Sequence, residues 1–413
     1  MLRSFAFISQ VSMCSLMVFF AAQSHAADAF SADSPYMLGD WNGQRTALKE
    51  QGYDFSLDYT GELANVLDSK NTSSHGTEYA GQVSLGAHLD LDKILGWQDT
   101  EAQITVTERH GRDLSHTSDA LRGQLSSVQE VWGRGQTWRL TDFWIKKKFF
   151  DQKLDIKVGR FGEGEEFNSF ACDFQNLALC GAQMGKWAGD QWYDWPVSQW
   201  AVRVKYNLQP NLFVQVGAFE HNDENLHRNK GFNLGTDGSD GALIPAEIVW
   251  QPKLTAQNLP GEYRLGYLYS TVNKSSNGTA IDHKQGGWIS VKQQLTAHQG
   301  DVSRGLTVWA NVTEFDHDSG NPDDGQVSNM QNLAVSYTGL MDARPKDEIA
   351  LGVARIHKSA EGFSNEYNAE LYYGIHATNW LTVRPNIQYV RHVGALNNGN
   401  NAWVGGIKFI TAF

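Results

Sequence analysis

The chain has 413 residues and a formal net charge of -12, with 46 acidic against 34 basic side chains, a balance that argues against nucleic acid as a partner. Beyond the amino-terminal leader no stretch reaches the ~18 consecutive apolar residues of a membrane helix, so a helical membrane protein is excluded. Forty glycines and an aromatic share of 12% suit many strands with one apolar and one polar face.

Residues 1–26 read as a cleaved signal peptide. Arg3 supplies positive charge, an apolar run extends from Phe5 to Ala22, and Ser24-His25-Ala26 places small residues at the cleavage site. Cys14 leaves with that leader, so Cys172 and Cys180 remain as one even pair. An oxidising compartment favours a disulfide between them over two buried thiols. Residues 27–53 form an amino-terminal segment with one short helix, for which Asp40 suits the N-cap and Gly52 the end.

From residue 54 to 413 the period is two. Phe55, Leu57 and Tyr59 alternate with Ser56, Asp58 and Thr60; the same holds for Val202 and Val204 against Arg203 and Lys205, and for Leu371 and Tyr373 against Glu370 and Tyr372. Alternation alone also fits a soluble sandwich. The connections separate the two, because short turns such as Asp151-Gln152-Lys153 and Asn207 to Pro210 intersperse long polar stretches such as His221 to Gly241, Thr271 to Gln285 and Glu314 to Gln326. Short turns at one end and long loops at the other mark a transmembrane antiparallel β-barrel. Trp250, Tyr269, Tyr337, Trp380 and Tyr389 stand near strand ends, where interfacial girdles need them. Trp403, Gly405, Ile407, Phe409, Thr411 and Phe413 form an alternating last strand able to close on the first, and closure matters because an open edge in lipid leaves backbone groups unpaired. The fold class expected is therefore all-β, a barrel of about sixteen strands, wide enough for an aqueous lumen.

With the apolar parity facing lipid, Arg109, Arg203, Lys205, Glu247, Arg264, Glu370 and Arg384 face the lumen. Charged rings of this kind set pore selectivity; the alternative is a hydrated wall in which Arg pairs with Glu for structure. The connection from Phe161 to Val197 carries Glu163, Glu165, Glu166, Asp173, the cysteine pair, Trp187, Trp192, Tyr193 and Trp195. So long a loop is functional or disordered, and its aromatics argue for order. Folded inward it would constrict the pore, its carboxylates accepting hydrogen bonds from sugar hydroxyls and its rings stacking on pyranose faces. Left outside, its tryptophans would merely pack on neighbouring loops.

Catalytic and metal signatures are poor. The His residues are scattered, no Gly-x-Ser-x-Gly elbow occurs, and Gly159-x-x-Gly162-x-Gly164 lacks the Lys-Ser/Thr of a phosphate loop. Asp316, Asp318, Asp323 and Asp324 read as a solvated acidic loop sooner than a calcium site. No cofactor and no metal is implied; an enzyme on the barrel wall has no recognisable constellation behind it, and an adhesin with a plugged lumen would be favoured by an absence of single-channel conductance.

Gly39-Asp40-Trp41-Asn42-Gly43, Gln51-Gly52-Tyr53-Asp54-Phe55, Lys157-Val158-Gly159-Arg160-Phe161 and Cys172-Asp173-Phe174-Gln175-Asn176 with Cys180-Gly181 resemble the OprB-type carbohydrate-selective porins. The resemblance runs the length of the mature chain. It implies a sixteen-stranded channel in the bacterial outer membrane, contacting outer-membrane lipid and passing glucose and other small carbohydrates without an energy source. A general diffusion or ion-selective porin without a sugar site is the alternative, and the oligomeric state, homotrimer or monomer, stays open.

Overall fold

The computed structural model describes residues 28–70, 76–184, 191–273, 283–315, 327–359 and 362–413. The leader, Trp187 and the Asp316 to Asp324 acidic loop lie outside these residues. The strands are β1 (Tyr53–Ser69), β2 (Thr77–Asp90), β3 (Thr100–Gly111), β4 (Trp138–Phe149), β5 (Leu154–Phe161), β6 (Gln199–Gln209), β7 (Leu212–Asn222), β8 (Ser239–Trp250), β9 (Lys253–Leu254), β10 (Leu259–Ser270), β11 (Gln285–Gln294), β12 (Gly305–Phe315), β13 (Val327–Thr338), β14 (Glu348–Lys358), β15 (Asn365–His376), β16 (Leu381–Arg391) and β17 (Asn401–Ala412). The two-residue β9 only extends a hairpin, and the other sixteen form the wall. Every neighbouring pair is antiparallel, and β1 pairs with both β2 and β17, so the sheet is closed without an edge.

Side-chain alternation explains why this closed sheet forms and which way it faces. Leu85, Ile104, Val158, Val202, Leu265, Ile289, Leu333, Val353, Leu371 and Ile387 are exposed on the outside, whereas Arg109, Arg203, Glu247 and Glu370 of the opposite parity are buried. A soluble chain buries its aliphatics; this inversion belongs to a barrel whose outer solvent is hydrocarbon. No helix among the described residues is long and apolar enough to cross a membrane.

Short and long connections alternate as expected, with shifted bounds. Asn207 to Gln209 extend β6, leaving Pro210 and Asn211 as the turn, and His221 and Asn222 belong to β7. At the short-turn end a 3-10 turn (Trp41–Gly43) leads into α1 (Gln44–Glu50). Asp40 does not stand at the N-cap of α1; its carboxylate reaches across the turn to accept the Thr46 N–H at 2.9 Å. Arg45 is the reason this segment docks. It donates to the carbonyl oxygens of Phe413 and Phe55 at 2.7 Å each and lies 3.2 Å over the Tyr36 ring, bridging the ends of the last and first strands.

Among the described residues, two long connections turn inward: residues 162–184 and 191–198 between β5 and β6, and residues 112–137 between β3 and β4. The wall makes room for the first with small residues. Ala334, Ala350 and Ala354 line an apolar seat for Phe174 and Leu179, and a Cβ on Gly352 would sit 2.8 Å from a Leu179 methyl carbon. A Cβ on Gly217 would likewise sit 2.9 Å from the Phe167 ring. The core of this protein therefore lies inside the barrel, between wall and loops.

Candidate functional site

The loop 162–198 leaves β5 through α2 (Glu163–Glu166). Glu166 binds Lys157 at 2.9 Å and Arg203 at 3.0 Å; burial alone would raise its pKa, but these two cations outweigh it and hold the carboxyl below the usual range. Burial, with Asp142 beside it, pushes Glu165 well up. Burial also pushes Glu163 well up, with Asp194 adding to the push and the backbone N–H groups of Glu163 and Tyr193 opposing it only in part.

Farther along, wall carboxylates take the loop's own backbone. Glu247 accepts the Asn168 N–H at 3.1 Å while also holding Arg264 at 2.9 Å and the Trp288 indole N–H at 2.8 Å. Glu370 accepts the N–H groups of Gln175 and Asn176 at 2.9 and 2.6 Å. Arg384 binds Asp173 at 2.8 Å. Cys172 and Cys180 are joined as a disulfide around this hairpin. Both sulfurs lie within 4.8 Å of Glu130, yet their covalent bond removes them as thiolate ligands, so the trio is no metal site. Buried wall charges thus anchor an irregular segment whose amides would otherwise lack partners.

The space left free is a cavity of about 700 Å³ where both loops meet the wall of β1, β2, β3 and β17. Gln82, Arg109, Glu130, Trp132, Arg134, Glu165, Asp194, Trp195 and Lys408 are among its lining residues. Arg109 donates to Gln82 at 2.8 Å and to the Trp132 carbonyl at 3.2 Å, and forms no ion pair among the described residues. Trp195 donates to the same Gln82 oxygen at 3.1 Å. The Arg134 side chain makes no hydrogen bond or ion pair among the described residues and stands 5.9 Å from the Tyr193 ring centroid. Two guanidinium groups therefore keep donor capacity beside the Glu130 carboxylate.

Of the wall residues singled out by parity, all face inward but only Arg109 lines this cavity. Arg203 is spent on Asp155 at 2.6 Å and on Glu166, Lys205 lies 3.9 Å from Asp155, Arg264 pairs with Glu247 and Glu262 within the wall, and Glu247, Glu370 and Arg384 hold the loop. Of the loop residues, Glu165 and Trp195 reach the cavity. Glu163 and Trp192 are buried, Trp192 edge-on to Trp288 at 6.0 Å. Glu166 and Asp173 are paired to the wall, and Trp187 is outside the described residues. Gln82, Glu130, Trp132, Arg134, Asp194 and Lys408 were not anticipated. Lys408 carried a usable signal, since it alternates with Ile407 and Phe409 on the last strand; Glu130 and Arg134 sit on a shorter connection, residues 112–137, whose inward course has no periodicity to betray it.

With this geometry in place, comparison with known proteins is specific. A profile described as carbohydrate-selective porin, OprB family, matches residues 74–413. Porin B of Pseudomonas aeruginosa is 51% identical over 94% of each chain. The high-pH structure of Pseudomonas putida OprB is 50% identical with a TM-score of 0.87, covering 94% of this chain and all (100%) of that one; the low-pH structure is 48% identical with a TM-score of 0.65. The chain belongs to the OprB family of carbohydrate-selective porins, channels of the outer membrane.

Proposed function

We propose that small sugars such as glucose pass by passive diffusion and are selected in the cavity between the two inward loops. The observation that carries this reading is the pairing there of unspent guanidinium donors, Arg109 and Arg134, with the Glu130 carboxylate and the half-buried Trp195. A sugar hydroxyl both donates and accepts, so a donor fork facing a carboxylate satisfies it where a single-sign ring would favour an ion. An indole face suits the C–H surface of a pyranose. Contacts of this kind replace water hydrogen bonds at nearly equal strength, which permits entry and release without trapping. No residue in the cavity needs to react.

Single-channel recording of the refolded protein in a planar bilayer, with glucose titrated into the bath, tests the reading. Saturable block by glucose, stronger than by a size-matched solute without hydroxyls, is expected, and Arg109→Gln or Arg134→Gln should weaken it. Stable conductance indifferent to glucose would leave the barrel standing and make it a general diffusion porin.

A further inference from the structure

Glu62 of β1 and Lys408 of β17 oppose each other in direct register across the seam where the barrel closes. Both are buried, at 0% and 2% exposure. The Lys408 ammonium lies 2.8 Å from Glu130 and 3.4 Å from Glu62, and it also donates to the carbonyl oxygens of Phe174 at 3.0 Å and Cys172 at 3.3 Å. Its three N–H donors are thereby spent on one carboxylate of the cavity and two carbonyls of the disulfide hairpin. Glu62 serves the other loop: its carboxylate accepts the Val131 N–H at 3.2 Å and its carbonyl accepts the Gln129 amide at 2.8 Å.

We propose that the Glu62–Lys408 pair is the positioning device of the pore, fixing Glu130 and the hairpin 172–180 relative to each other so that the cavity presents its sugar-binding groups together. The proposal rests on the sugar site described above. Lys408 is a positioning residue here: its donors are consumed by protein, and it acts on the sugar through Glu130.

The test uses the full chain in planar bilayers, with heat-modifiable gel mobility as the check on barrel formation. Lys408→Met should retain the mobility shift and raise the half-blocking glucose concentration about tenfold, the equivalent of 1.4 kcal/mol. Glu130→Gln should also weaken block, and combining the two should add little, because Lys408 works through that carboxylate. Unchanged glucose block in Lys408→Met, or effects of the two substitutions that simply add, overturns the positioning role. Should Lys408→Met fail to form a barrel, the isosteric Glu62→Gln reads the same device, and normal block in that variant overturns it equally. Normal block in Arg109→Gln and Arg134→Gln as well would remove the sugar site itself, and the positioning role with it.

Discussion

Residues 162–198 are seated by large aromatic side chains and a disulfide: Phe167 and Trp192 enter one apolar cluster, Phe174 enters another, and Cys172 is bonded to Cys180. Residues 112–137 lie instead on small aliphatics, with Leu114, Ala120, Leu121 and Val128 packed against Val66, Val390 and Val404. Amide side chains stitch that loop in place, as where Gln129 accepts the Leu114 N–H at 2.9 Å. Both use the same polar device, a wall glutamate that accepts loop amides. Glu370 does so for the first loop, and Glu366, four residues earlier on the same face of β15, accepts the Leu125 N–H of the second at 2.9 Å. The lesson is that apolar content distinguishes the loops while the requirement to satisfy buried backbone unites them.

Removing the two glutamates one at a time should break this symmetry most visibly. Glu370→Ala strands two hairpin amides at about 1–3 kcal/mol each, and should raise conductance and abolish glucose block. Glu366→Ala frees Leu125 and Gly394 and should act on the second loop, so protease cleavage in a lumen-accessible assay should shift from near residue 175 to near residue 125. Identical cleavage patterns in the two variants would deny that each glutamate serves its own loop.

A smaller effect should follow from filling the aromatic seat. Gly352→Val places methyl carbons where Phe174 and Leu179 already stand, an overpacking of about 1–3 kcal/mol. The unfolding midpoint should fall and the channel widen, while Ala64→Val should test the aliphatic seat in the same way. Opening the disulfide in Cys172→Ser/Cys180→Ser, which frees a closed loop with a sequence separation of 8, should cost about 2 kcal/mol by chain entropy. Because Glu370 and Arg384 still hold the hairpin, glucose block should weaken only a few-fold in that variant; complete loss would mean that the covalent bond, not the wall, fixes the eyelet.

The smallest expected effect is a slope. Glu163 is buried and its carboxyl is raised well above the ordinary value of 4.5. The folded loop therefore keeps this proton where an unfolded one has lost it, so its seat is firmest below that ordinary value and weakens as pH rises through the raised one. Loop opening, read as current noise, should increase toward alkaline pH in the wild type, and Glu163→Gln should flatten the trend. An unchanged pH dependence in that variant would place the titrating group elsewhere.

How much of this was legible beforehand follows from what periodicity can carry. Parity along a strand says which way a side chain points, and Arg109, Arg203, Lys205, Glu247, Arg264, Glu370 and Arg384 all point into the barrel. It says nothing of partners, which come from a loop with no fixed period. Parity presents Glu370 as a lumen charge, whereas its carboxylate is consumed by two backbone amides. The loop carrying Cys172, Trp192 and Trp195 announced itself by composition. The one carrying Glu130 and Arg134 has fewer aromatics and no cysteine, and its course depends on contacts such as that of Val131 with Glu62, far away in sequence.

The small-residue seat has a practical side for anyone who would turn this barrel into a wide nanopore by excising residues 162–198. The vacated wall would not be the hydrophilic tube that the sixteen staves suggest. Trp288, Phe219, Leu268, Tyr372, Met330 and Ile356, now covered, would face the electrolyte. Such a surface adsorbs aromatic analytes and invites dewetting, so a truncated pore should show long, solute-dependent current interruptions until those positions are rewritten as Ser, Thr or Asn.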